Sequence, residues 1–345
     1  MTRTAAFAAE LVRASGRGLS GLAAARFFER ADGAAERFGD DGFESWRRAM
    51  GARLDALASA LDADDPKIFA DDVLWFRGMS TSRDVRETEI ELALDCLGEI
   101  VGEQIPDPAT ETVAPYFDAA RLALVAGAKQ EKGLAPGSPA AELFDLALVG
   151  DLPGARHYLA DAVQANRLTV ENAILDVLLP AARESGRRWH LGELGVATEH
   201  IATSTLRGAL YALAASLEPG EPNGKAAFIA AVPGDAHDTG LVAFALLLEH
   251  DGWRVVLSGA DTPADEIDAT AEAYGCDLIA LSATLASQRT ALLRYLEERV
   301  GGAPVLVGGS AVHGVDDAKA IGASGYAPDL AAGVTVARRL VGLDD

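Results

Sequence analysis

The residues best placed to do chemistry lie in four short polar segments: Pro233-Gly-Asp-Ala-His-Asp-Thr-Gly240, Gly259-Ala-Asp-Thr-Pro263, Ser282-Ala-Thr284 and Gly308-Gly-Ser310. One imidazole, His237, stands among them. Asp235 precedes it by two residues, close enough to hold one ring nitrogen, free the other for a metal and raise its basicity. A lone histidine cannot close a structural zinc site. It can supply one axial ligand to a metal already held by a macrocycle. Gly308 and Gly309 carry no Cβ, so backbone there can approach a flat group closely. Ser282 and Thr284 offer hydroxyls beside them.

A second group is Trp189-His190 and Glu199-His200, with nine residues between Trp189 and Glu199. A tryptophan supplies a large rigid wall for a dry pocket, and Glu199 can accept hydrogen bonds from a polar ligand. Each group also has a plain reading. Asp-x-His-x-x-Gly alone suits a loop with a capped helix start. Trp189 alone suits a bundle core, with His190 and His200 as helix ends. The four polar segments taken together favour a ligand.

These segments need elements to bring them together. From residue 224 to 345, short apolar runs alternate with helical stretches. The runs are Ala226–Val232, Val255–Leu257, Leu278–Leu281 and Val305–Val307; the stretches between are Thr239–His250, Ala264–Tyr274 and Ser287–Val300. That alternation predicts right-handed crossovers and an open parallel sheet of flavodoxin-like type, with helices on both faces. Such a sheet binds its ligand beyond the carboxyl ends of its strands. All four polar segments then fall on that one edge. Residues 140–218 read as a four-helix bundle, with pieces near 140–149, 153–165, 169–187 and 195–217. Residues 1–128 read as all-helical, broken at Gly16, Gly39, Pro66, Pro106 and Pro108. Lys129–Pro139 reads as a linker.

The bulk composition bounds the partners. The chain has 345 residues, 49% of them hydrophobic and 24% charged, which suits two or three globular domains. Its formal net charge of −22 predicts poor affinity for nucleic acid and for anionic membrane surfaces. Two cysteines and no CxxC fit a reducing cytoplasm. No uncharged apolar run is long enough to span a bilayer, and no signal-peptide pattern opens the chain.

Asp235-x-His237-x-x-Gly240, with Ser282-x-Thr284 and Gly308-Gly309, resembles the cobalamin-binding domain shared by methionine synthase and base-off mutases. The resemblance implies that His237 is the lower cobalt ligand and Asp235 its hydrogen-bond partner. Ser282, Thr284, Gly308 and Gly309 would line the slot for the displaced nucleotide tail. The family's usual Ser-x-Leu reads Ser282-x-Thr284 here, which bears on tail contacts and not on ligation. The spacing of Trp189, Glu199 and His200 resembles the signature of cobalamin photoreceptors of the CarH type. It implies a bundle that caps adenosylcobalamin, with Trp189 beside the adenosyl group and Glu199 and His200 nearby. His190 would become the upper ligand once light breaks the cobalt–carbon bond. The implied protein is a light sensor and not an enzyme, a homo-oligomer whose assembly or domain arrangement changes with light. A corrinoid protein for methyl transfer or a mutase subunit is the alternative, and a cobalamin storage module a third.

The first 128 residues resemble degenerate globin-like sensor domains through Trp75-Phe-Arg-Gly78 and the Pro106/Pro108 end. No histidine precedes His157, so a His-ligated haem is excluded there. Biliverdin stays open as a second chromophore, as in photocobilins, beside a plain dimerisation or signalling role. Cys96 reads as a small buried hydrophobe.

Overall fold

The computed structural model describes residues 3–126, 132–218 and 220–343. The chain forms two compact units, residues 1–131 and 132–345.

The first unit is helical: α1 (Arg3–Arg30), α2 (Ala34–Phe38), α3 (Gly42–Ala63), α4 (Pro66–Thr81), α5 (Glu87–Gln104) and α6 (Ala109–Ala126). In α1, Ala5, Ala8, Ala9, Val12, Leu19, Ala23 and Phe27 are buried, a helical stripe that packs on α3 and α5. Phe27 meets Trp46 of α3 with ring centroids 4.2 Å apart. Gly16 was expected to break this stretch, yet α1 runs through it without interruption. A helical glycine costs about 1 kcal/mol relative to alanine, less than the continuous buried stripe returns. The helical expectation holds; a globin-like arrangement is a finer reading than helix order alone carries. The cavity enclosed by Trp46, Met50, Phe76 and Leu94 holds about 20 Å³, room for about one water and far below a tetrapyrrole. It lends biliverdin no support. Cys96 is fully buried.

Residues 129–131 of the expected linker lie outside the described residues. The second unit then opens with helices α7 (Pro139–Leu148) and α8 (Leu152–Gln164). A third, α9 (Val170–Asn172), continues through a π-helical turn (Ala173–Leu178) into α10 (Leu179–His190), and α11 (Val196–Ala215) follows. Ser138, Asp151 and Thr169 cap their helices by accepting the N–H groups of Ala141, Gly154 and Asn172. The π turn sits just before Pro180, whose ring cannot accommodate a regular preceding turn.

After residue 220 come β1 (Ala226–Ala231), α12 (Thr239–His250), β2 (Arg254–Gly259), α13 (Ala264–Ala273), β3 (Leu278–Ser282) and α14 (Ala286–Glu298). The chain closes with β4 (Val305–Gly308), α15 (Val315–Ala320), β5 (Gly325–Tyr326) and α16 (Leu330–Leu340). All pairings are parallel, in the order β2-β1-β3-β4-β5, the doubly wound flavodoxin-like order. Strand β1 is buried at every residue, as a central parallel strand covered on both faces must be. Val242, Ala243, Leu246 and Leu247 of α12 share one core with Leu143, Phe144, Ile174, Leu178, Leu206 and Leu210 of the preceding helices. The helical layer is therefore seated on the sheet domain by apolar contact. No helix among the described residues is long and apolar enough to cross a membrane.

A buried carboxylate braces the end of α10. Glu184 is 4% exposed and accepts hydrogen bonds from Arg187 and Arg188. The Arg187 bonds, joined by those of Arg188 and opposed by burial, lower its pKa to about 2. A depressed carboxylate stabilises the folded state above its unfolded pKa, and that stability is lost as pH falls through the folded value. Acid titration of unfolding is expected to show this loss between about pH 4.5 and 2, and Glu184→Gln is expected to remove that part of the slope.

Candidate functional site

The order reversal between β2-β1 and β1-β3 creates the switch point at which doubly wound sheets bind ligands. The loop after β1 opens there, with Pro233 and Gly234 at the centre of a turn closed by the Asp235 N–H donating to the Val232 carbonyl at 3.1 Å. Gly234 has φ +80°, the third position of a type II turn, which a glycine after a proline suits. The turn delivers Asp235 inward, where it is 0% exposed, and leaves His237 outward, with 58% of its side chain accessible.

Asp235 is fully used. Oδ1 accepts the His237 main-chain N–H at 3.0 Å and lies 2.8 Å from Nδ1 of the His237 ring. Oδ2 accepts the Thr284 N–H at 2.8 Å. Burial opposes its charge, but these hydrogen bonds win and hold the carboxyl below its ordinary value. In return, the hydrogen bond to Asp235 raises the His237 pKa against burial, with help from the nearby charges of Asp235, Glu199 and Asp238. With Nδ1 engaged by the carboxylate, Nε2 is the nitrogen left for a ligand.

His237, Gly240, Ser282, Thr284, Gly308 and Gly309 all line one cavity of about 510 Å³. Its floor is Phe244, Ala280 and Leu306, and its far wall is Ala327–Ala331. Leu175, Leu179 and Arg183, one stripe along the π turn and α10, close it from the helical layer. The two glycines after β4 do different work. At Gly309, φ is +91° and a Cβ would sit 2.2 Å from the Ala283 carbonyl oxygen, so the fold itself requires glycine. At Gly308 a Cβ would make only ordinary contacts, 3.5 Å from the Ala327 oxygen, and at Gly240 it would meet nothing within 4 Å. Protein packing does not demand glycine at these two positions, which border the cavity.

Glu199 is near enough to bias His237, and its Oε1 accepts the Thr203 hydroxyl at 2.6 Å. His200 is exposed, with Nε2 3.8 Å from Glu199. Trp189 and His190 are partly buried at the end of α10. None of Trp189, His190, Glu199 and His200 is among the residues lining the cavity. Several residues carried no sequence signal for this site. Arg207 of α11 pairs with Asp238 at 3.1 Å, tying the helical layer to the loop that carries His237. Asp329 caps α16 through the Ala332 N–H and edges the cavity.

An open parallel sheet with an exposed, carboxylate-held imidazole at its switch point, above a deep small-residue slot and roofed by helices, defines a cofactor-binding module. A B12 binding domain model matches residues 226–334, and a second B12 binding domain model matches residues 140–214. A corrinoid protein of Desulfitobacterium hafniense (strain Y51) is 30% identical over 171 residues, 46% of this chain and 76% of that one. The chain belongs to the B12-binding family, and its cofactor class is cobalamin. Two repressors of Myxococcus xanthus are also similar. The HTH-type transcriptional repressor CarA is 36% identical over 135 residues (38% of this chain, 45% of that one). The HTH-type transcriptional repressor CarH is 34% identical over 141 residues (39% and 46%). The chain thus spans just under half the length of each repressor. The fold of the Methanosarcina barkeri monomethylamine corrinoid protein matches with a TM-score of 0.52 at 20% identity, over 60% of this chain and all of that one.

The residues present fit a cobalamin. The slot has room beside Gly240 and Gly308 where no protein atom needs it, and His237 offers a single nitrogen donor, as suits a metal already held by a macrocycle. Gly308→Ala is expected to change the unfolding free energy by no more than about 1 kcal/mol, since a Cβ there makes only ordinary contacts, while weakening cobalamin binding about fivefold or more, since bulk forced into a packed slot costs about 1–3 kcal/mol. Gly309→Ala should instead cost stability with or without cofactor, by about 1–3 kcal/mol or more for the strained backbone. Paired denaturant melts and binding titrations check both.

One expectation is corrected. The net charge of −22 had pointed away from nucleic acid. CarA and CarH, similar to this chain, are HTH-type transcriptional repressors, so a chain with this module can belong to a DNA-binding system. Net charge is a whole-chain average, whereas phosphate contacts are made by local clusters of lysine and arginine.

Proposed function

We propose that this chain is a light-responsive, non-enzymatic cobalamin protein that holds adenosylcobalamin between the sheet domain (224–345) and the helical layer (140–218). His237 would hold the cobalt through Nε2, oriented by Asp235 at Nδ1. The observation that carries this reading is the His237–Asp235 pair, exposed on one side and anchored to Thr284 on the other, at the mouth of a cavity with a helical wall. When bound, adenosylcobalamin supplies a cobalt–carbon bond that light can break. On the helical side, Trp189, Glu199 and His200 would bound the adenosyl group, and His190 would be the candidate ligand once that group is lost. Glu199 already acts electrostatically on His237. The Arg207–Asp238 pair couples any shift of α11 to the loop bearing the lower ligand. The similarity to CarH and the Trp189…Glu199-His200 spacing support a photoreceptor over other cobalamin proteins. The output is a change in domain arrangement or in the homo-oligomer.

Similarity to the D. hafniense corrinoid protein favours a second reading, a corrinoid carrier for methyl transfer. Illumination separates the two. Protein loaded with adenosylcobalamin in darkness is expected to change its absorption spectrum under green light and to shift its elution volume. Bound cofactor with superimposable dark and lit spectra and elution would overturn the light-sensing reading and favour the carrier.

A further inference from the structure

The turn before His237 is gripped from outside its own loop. Asp261, in the loop after β2, accepts the Gly234 N–H on Oδ1 at 2.7 Å and returns its own N–H to the Asp235 carbonyl at 3.0 Å. Gln288, in the first turn of α14, donates Nε2 to the Gly234 carbonyl at 3.2 Å. Its Oε1 meanwhile accepts the Leu285 N–H. Gln288 is 7% exposed, so both ends of a buried amide are occupied, each by a main-chain group. Asp261 is itself held in the left-handed region at φ +48°, a conformation that costs free energy and marks a residue constrained by its surroundings.

We infer that Gln288 and Asp261 are positioning residues for the axial histidine, fixing the Pro233-Gly234 turn from its two sides. This rests on the assignment of His237 as a cobalt ligand. A proline–glycine turn has two accessible forms that differ chiefly by rotation of the central peptide. In the observed form the Gly234 N–H points to Asp261 and the Gly234 carbonyl to Gln288. Rotation of that peptide would break the Asp261 bond. The Gly234 carbonyl belongs to the next peptide, so Gln288 holds the link that leads into Asp235, whose carboxylate sets the His237 ring. The clamp joins three strand ends, β1 through the turn, β2 through Asp261 and β3 through Gln288, so the imidazole is registered to the sheet and not merely to its own loop. None of the clamp atoms touches the imidazole, which separates this role from that of Asp235.

The test uses the full chain loaded with hydroxocobalamin for affinity, and with cob(II)alamin for the electron paramagnetic resonance splitting that a cobalt-bound nitrogen produces. Gln288→Glu keeps the acceptor for Leu285 and loses the donor to Gly234. Asp261→Ala removes the other arm, and because Asp261 is exposed that variant stays folded even if position 288 tolerates no change. Supporting residues of metal ligands typically contribute 10- to 100-fold to affinity. Both variants are expected to bind about 10- to 100-fold more weakly and to lose part of the histidine-derived nitrogen signal. Circular dichroism should stay at wild-type helicity. Folded variants that keep wild-type affinity within about twofold and an undiminished histidine signal would overturn the clamp. A wild-type protein that lacks the histidine signal would instead overturn the ligand assignment on which the clamp rests.

Discussion

His237→Ala is expected to weaken cobalamin binding by more than about 100-fold, beyond what loss of a supporting residue costs, and to leave the fold intact. The fold survives because Asp235 keeps two of its three donors, the main-chain N–H groups of residue 237 and Thr284. Its third, the ring nitrogen at 2.8 Å, is lost with the side chain. Exogenous imidazole should restore part of the binding, because the vacated space opens on the cavity and Asp235 remains in place to orient a free ring. Equilibrium titration with hydroxocobalamin, with and without imidazole, reads both effects. An alanine variant that binds as tightly as the wild type would remove His237 from the site.

The second large effect lies behind the site. Arg289 is 1% exposed and its guanidinium meets the Asp317 carboxylate through two bonds, at 2.8 and 2.6 Å, while also donating to the Ala311 carbonyl. Asp317 takes a further N–H from His313. This pair ties α14 to α15 just beyond the Gly308–Ser310 loop. Removing one partner of a buried ion pair costs about 3–5 kcal/mol, so Arg289→Met is expected to lower the unfolding free energy by that order. The pH dependence should change sign as well. In the wild type, burial opposes the Asp317 charge, but Arg289 prevails and holds the carboxyl below its ordinary value. Stability from this group is then present above the unfolded carboxylate pKa, about 3.9, and is lost as pH falls through the folded value. Without Arg289, burial, the largest influence, is opposed only by the His313 N–H and charge, and the folded pKa rises. The variant should lose stability as pH increases above about 4, where the wild-type contribution has already reached its plateau. Denaturant melts across this range check the reversal.

The chemistry of the site was legible because it depends on residue types at sheet ends. The runs Ala226–Val232, Leu278–Leu281 and Val305–Val307 mark strands by apolarity alone, and topology brings the following loops to one edge. His237 and Asp235 were visible for the same reason. What escaped the sequence depends on long-range geometry. Strand β5 is two residues long, too short for any period, and α16 follows it with no apolar run between. Gln288 and Asp261 act through main-chain atoms 54 and 27 residues away, which no spacing rule encodes. Arg207 looked like any surface arginine of a helix until Asp238 stood opposite. Gly16 misled in the other direction, since local propensity yielded to a buried stripe along α1. Charge misled once more, as a global sum cannot exclude a local partner.

The central claim is that the imidazole of residue 237 is bound to cobalt. Cob(II)alamin loaded onto protein labelled with 15N-histidine tests it most directly. The account predicts that the cobalt-nitrogen splitting changes from the three-line pattern of 14N to the two-line pattern of 15N on labelling, and that His237→Ala abolishes this sensitivity. A splitting unmoved by the label would mean that the cofactor keeps its own base or takes another ligand, and would contradict the account.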